Sequence, residues 1–164
     1  MDIRSALKSQ YHAALKTLHE VIEKCPDVMW NDPADTARFW RVAYHTLFYA
    51  HFYLQQSEKS FRPWARHRDE TISIVPSADH RPPKAYEPYT RDELLQYCKE
   101  CNDMIDAGVD ALDLSAPQCG FPWYQMPTLE HQLVNIRHIQ HHAAALSSRL
   151  RRSAGISVNW VGKK

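Results

Sequence analysis

Glycine is scarce, at four residues in 164, which argues against a fold built on many positive-φ turns and favours helices. No stretch of about 18 apolar residues occurs, so a membrane-spanning helix is excluded. The start of the chain, Met1-Asp-Ile-Arg-Ser-Ala-Leu-Lys8, has no apolar segment of secretory type, and a cytoplasmic location is expected. A formal net charge of +1 removes any bulk electrostatic case for nucleic acid or an anionic membrane. Internal repeats and low-complexity stretches are absent, which leaves no solenoid reading. Two motifs are missing as well. Without Glu-x-x-His a carboxylate-bridged di-iron bundle is disfavoured, and without His-Glu-x-x-His the zinc metalloprotease motif is excluded.

What is present points to one all-α domain over residues 1–164, long enough for a full core. Leu7, Tyr11, Ala14, Leu18, Ile22 and Cys25 share one face of a first helix over about Ile3 to Lys24, which Pro26 ends. A second helix is expected from Ala34 to about Ser57, with Asp32 as cap, Pro33 at its first position and Asp35 facing the dipole. This segment is apolar and aromatic nearly all round, the mark of a buried helix. Phe61 to Tyr89 then forms a long connection holding Trp64, His67, His80 and five prolines. Thr90-Arg-Asp-Glu93 is a capping box that opens a third helix carrying Leu94, Cys98, Cys101, Ile105 and Leu112. Cys98-x-x-Cys101 lies mid-helix on that apolar face with no second Cys pair, and reads as core packing with free thiols. After a loop containing Phe121, Trp123 and Tyr124, which are candidates for a pocket mouth, a fourth helix covers Thr128 to Arg152. The tail from Ser153 reads as an irregular docked strap. A four-helix bundle with a long crossover between helices 2 and 3 is the architecture these segments favour.

Four of the ten histidines fall in the last helix. Leu129, Leu133, Ile136, Ala143, Leu146 and Leu150 make its apolar stripe, and His131, Asn135, His138 and His142 a second stripe beside it. His138 and His142, one turn apart, can share a metal ion, which needs a third ligand from another helix. His45 and His51 interrupt the second helix on different faces, and periodicity does not choose between them. An imidazole-rich site suits Zn or Ni better than Mg or Ca. His131 and Tyr49 are the candidates for a general base, and Tyr49 is also placed one turn beyond His45 to donate to a substrate or a metal-bound water. Asn135 is a candidate for fixing an imidazole tautomer, and His141 points away from His142.

Arg41-Val-Ala-Tyr-His45-Thr-Leu-Phe-Tyr49 and Arg137-His138-Ile-Gln-His141-His142-Ala-Ala-Ala-Leu146 together resemble the DinB-like superfamily of bacterial four-helix proteins. That family has a metal-binding histidine in its second helix and a His-x-x-x-His in its fourth. By position the resemblance implies His45, His138 and His142 as metal ligands, and so prefers His45 to His51. It further implies an up-up-down-down bundle, a homodimer, and a divalent metal, Zn or Ni. Relatives often carry Arg-Gly-Gln after the last ligand, where this chain has Ala143-Ala144-Ala145. Family members include transferases and isomerases that use low-molecular-weight thiols, and metal-dependent hydrolases.

The expectation is a metal-dependent enzyme that activates a small thiol or water for S-transfer or hydrolysis of a small-molecule substrate. The alternative is a non-catalytic helical bundle that binds a small molecule or protein partner, with a structural metal or none.

Overall fold

A computed structural model describes residues 2–74 and 87–163. Its helices are α1 (Ile3–Glu23), α2 (Asp27–Trp30), α3 (Phe39–Tyr53), α4 (Arg91–Ala111) and α5 (Thr128–Ala154), with short 3-10 turns at Glu58–Ser60 and Asp69–Thr71. The described residues contain no strand, and a lone bridge joins Ser57 to Gly120. The all-helical expectation holds. Among the described residues no helix is long and apolar enough to cross a membrane.

Each long helix begins and ends for local reasons. Asp2 caps α1 by accepting from the Arg4 and Ser5 amides, the service an N-terminal carboxylate performs for orphan N–H groups. The capping box at α4 is fully formed: Thr90 accepts from the Glu93 amide, and the Glu93 carboxylate accepts from the Thr90 amide at 2.8 Å. α5 ends at Gly155, whose φ of 69° is the left-handed cap that glycine supplies without strain.

α3 starts later than its sequence suggests, at Phe39 rather than Ala34. Asp32 does not cap it. Its Oδ1 accepts from the Ala34 amide at 2.9 Å and closes a local turn. Arg149 of α5 then takes both the Asp35 carboxylate and, at 2.9 Å, the Ala37 carbonyl. Residues 34–38 stay in turns and bends, and the helix opens at the Arg38 carbonyl, which accepts from the Arg41 and Val42 amides.

α1 packs against α4 and α5, and α3 packs against the same two, so the α3/α5 seam lies diagonally across from the α1/α4 seam. Between them Leu15, Leu18, Ile22, Phe39, Trp40, Tyr44, Leu47, Leu94, Tyr97, Ile105, Ile139 and Leu146 are all within 2 % of complete burial. Burying each such aliphatic or aromatic side chain contributes about 1.5–3 kcal/mol. Cys98 and Cys101 belong to this core as free thiols.

The expected stripe on α5 holds at Leu129, Ile136, Ala143, Leu146 and Leu150, which are buried or pack on the core, and fails at Leu133. Leu133 is half exposed, whereas His131, Gln132 and Asn135 are fully buried. The NH2 groups of both buried amides donate to the end of α3, Gln132 to the Tyr53 carbonyl at 3.0 Å and Asn135 to the Ala50 carbonyl at 3.1 Å. Tyr11 adds a bond to Gln132 Oε1 at 2.6 Å. Helix termini leave carbonyls without partners, and here a neighbouring helix provides them.

The tail after Gly155 is a strap, as expected. Ile156 and Val158 pack on the core, Lys24 donates to the Ser157 carbonyl at 3.0 Å, and Asn159 donates to Glu20 at 3.1 Å. The long connection is described up to Ile74 and from Glu87, while Val75 and His80 lie outside the described residues.

Thr90→Ala is expected to lower stability by about 1 kcal/mol by opening the capping box. At Gly120 a Cβ would sit 2.4 Å from the Gln56 carbonyl oxygen, so Gly120→Ala should cost about 1–3 kcal/mol through overpacking. Urea unfolding reads both, and an unchanged midpoint for Gly120→Ala would contradict the close approach at the Ser57 bridge.

Candidate metal centre

Three imidazoles meet across the α3/α5 seam. His45 comes from the middle of α3, and His138 and His142 from successive turns of α5. One candidate ligand atom from each lies within 4.8 Å of the other two. All three rings are half buried. Ring centroids are 5.1 Å apart for His45 and His138, 4.9 Å for His45 and His142, and 4.6 Å for His138 and His142.

The orientation of His45 is set from behind. Its Nδ1 donates to the Ile72 carbonyl at 2.8 Å. A carbonyl only accepts, so the proton sits on Nδ1 and the Nε2 lone pair points into the cluster. That Nε2 lies 3.1 Å from His138 Nε2. Two imidazoles on one tetrahedral ion with bonds of about 2.0–2.1 Å have nitrogens about 3.3 Å apart. The observed pair needs little adjustment to meet that spacing.

The electrostatics suit a cation. Burial, then the neighbouring rings of His142, His45 and His141, push the His138 pKa down to about 3. Burial, followed by His45 and His141, takes His142 to about 4. For His45 burial lowers the pKa, and the bond to Ile72 opposes it. At neutral pH the three rings are therefore uncharged and a metal ion would meet no imidazolium; His138 Nε2, which donates to His45 Nε2, would ligate with its ring proton moved to Nδ1. His138 Nδ1 is buried with no hydrogen-bond partner among the described residues. The group has three neutral nitrogen donors from two rigid helices, one of them pre-oriented by a backbone carbonyl, and it could hold a divalent ion.

The remaining candidates separate clearly. Tyr49 lies one turn beyond His45, with its ring 4.8 Å from that of His45 and 5.5 Å from that of His138. Burial and the nearby Tyr124 raise its pKa, so the phenol keeps its proton. His51 is turned elsewhere, against the Tyr97 hydroxyl at 3.2 Å. Asn135 holds the Ala50 carbonyl rather than an imidazole. His141 is exposed beside His142. His131 is not in the cluster. It is fully buried in a box of Tyr53, Phe121 and Tyr124, at 4.8, 4.8 and 5.0 Å between centroids, and neither ring nitrogen has a partner among the described residues. Phe121 and Tyr124 therefore enclose His131, while Trp123 is exposed and stacks on Phe52. The residue that motif reading missed is Ile72, because a backbone carbonyl leaves no mark on side-chain patterns.

No family model matches the chain. Searches of curated proteins and of solved structures likewise return no match. The reading of the site rests on its own geometry.

Burial lowers the pKa of His131 from 6.5 to about 4. At neutral pH neither the folded nor the unfolded chain carries a proton there. As pH falls through 6.5 the unfolded chain binds a proton that the fold refuses, so stability drops until about pH 4. His131→Phe removes this penalty and two orphaned nitrogens from an aromatic box. Urea titrations should therefore find the variant as stable as wild type at pH 7 and the more stable of the two at pH 5. A variant no more stable than wild type at pH 5 would contradict the assignment.

Proposed function

We propose that this chain is a divalent-metal-dependent enzyme of the DinB-like type, with His45, His138 and His142 holding one Zn or Ni ion. In this reading α1, α3, α4 and α5 are the four helices of the bundle and the connection between α3 and α4 is its long crossover. The observation that carries it is the convergence of three uncharged imidazoles within 4.8 Å, one of them fixed in its ligating tautomer by the Ile72 carbonyl. Three protein nitrogens leave a coordination position for a reactant, the usual layout of a catalytic rather than a closed structural site.

When bound, the ion supplies Lewis acidity that makes a small thiol or a water molecule nucleophilic near neutral pH. The chain's own residues do the rest. His45 is held against rotation by its bond to Ile72, and His138 and His142 are fixed by their place on α5. Tyr49 borders the cluster and keeps its proton, so in this reading it is the chain's candidate for donating to a leaving group. His131 is sealed in its aromatic box, which favours Tyr49 of the two catalytic candidates. No carboxylate hydrogen-bonds to the three rings among the described residues. That favours transfer of a low-molecular-weight thiol over hydrolysis, since a thiol starts near pKa 8.5 and needs no separate base to ionise on a metal. A homodimer belongs to the same resemblance, and light scattering on the purified chain reads it directly.

Elemental analysis of the purified chain should find about one Zn or Ni per polypeptide in wild type and close to none in His142→Ala. Chelation should lower the melting temperature of wild type only. Equal, near-zero metal in both proteins would overturn the proposal, and metal retained in full by His142→Ala would move the site elsewhere.

A further inference from the structure

The carbonyl that orients His45 belongs to a segment with its own anchor. Tyr44 precedes His45 on α3 and is completely buried. Its hydroxyl donates to Nδ1 of His67, and Nε2 of His67 donates to the Asp69 carboxylate at 2.9 Å. One tautomer of His67, protonated on Nε2, satisfies both partners. The His67 ring stacks on Tyr44 and on Phe48, at 6.3 and 5.2 Å between centroids. From Asp69 the chain makes its 3-10 turn. Buried Thr71 closes that turn on the Arg68 carbonyl through both its hydroxyl, at 2.7 Å, and its amide, at 3.0 Å. The next residue is Ile72, whose carbonyl accepts from His45. Tyr44 and His45 are neighbours on α3 and point about 100° apart, so the segment grips one face of the helix and delivers its carbonyl to the next.

Resting on the metal reading above, we propose that His67 is a positioning residue for the metal centre: the Tyr44–His67–Asp69 chain holds the 69–71 turn so that the Ile72 carbonyl keeps His45 in its ligating tautomer. Apolar contacts alone would dock this segment, since Trp64 is buried against Tyr97 and Ile72 and Ile74 pack on the core. They set depth but not direction. Two directed bonds to one imidazole fix the turn along the helix, and a carbonyl must stay within hydrogen-bond reach to select a tautomer. Asp69 is 95 % exposed and Tyr44 is buried. The bond from Tyr44 therefore carries most of the constraint, and the carboxylate is a lesser partner.

The test is Zn2+ affinity of the full chain by competition with a chromophoric chelator, together with the visible spectrum of the Co2+ form. His67→Phe keeps the stacking and removes both bonds. It should weaken Zn2+ binding about 10–100-fold and alter the Co2+ bands, whereas Asp69→Asn should change affinity by less than about 3-fold. His51→Phe removes a buried histidine on the same helix that bonds Tyr97. It should lower stability yet keep wild-type affinity and spectrum. Tyr44→Phe removes the donor hydroxyl while keeping the ring, and should weaken Zn2+ about 3–10-fold even if His67→Phe does not fold. Wild-type affinity and spectrum in the folded variants His67→Phe or Tyr44→Phe would overturn the proposal, as would an equal loss in His51→Phe. If His142→Ala abolishes binding while these variants retain it, only the positioning role falls. A wild type that binds neither Zn2+ nor Co2+ removes the metal reading along with it.

Discussion

An imidazole withdrawn from water is stabilised by a partner for each of its nitrogens, and at His45 that demand organises the seam between α3 and α5. One nitrogen is committed to the Ile72 carbonyl at 2.8 Å, so the other presents a lone pair towards His138. An imidazole free to rotate, or to exchange tautomers, would present a donor as often as an acceptor, and three such rings would not form a coherent donor set. Burial and mutual repulsion keep His138 and His142 uncharged. The cost of crowding three desolvated imidazoles at one point is what a bound cation would offset.

That arrangement depends on the register of two helices. Gln132 and Asn135, about two turns and one turn before His138 on α5, bond to the Tyr53 and Ala50 carbonyls near the end of α3. Arg149 ties the far end of α5 to the segment that leads into α3. Apolar packing tolerates some sliding, whereas directed bonds at both ends do not. His45 thus meets the pair His138 and His142 at a height set by polar contacts, and the rings of Tyr49 and Tyr53 lie against His138 and His131 along the same seam.

Much of this was legible from residue order. The capping box at Thr90, the core face of α1 and the pairing of His138 with His142 are local patterns with short-range causes, and each appears as the spacing implies. The choice of His45 over His51 was not local. It came from a family resemblance, and the structure shows its physical counterpart, since His51 is bonded to Tyr97 away from the cluster. The failures share a cause. The segment before α3 is held by Arg149, more than a hundred residues away, and buried Gln132 beside exposed Leu133 is bonded to a carbonyl of another helix. Hydrophobic periodicity registers neither, because it counts apolar side chains and is blind to polar groups satisfied across the fold. Ile72 looks from its side chain like a core residue, and its contribution to the site is its carbonyl.

Anomalous X-ray scattering from a crystal of the purified chain, recorded on both sides of the Zn and Ni absorption edges, tests the central claim most directly. The account predicts one strong peak about 2.0–2.1 Å from a nitrogen of each of His45, His138 and His142. No peak among those rings, or a peak held by other residues, would contradict it.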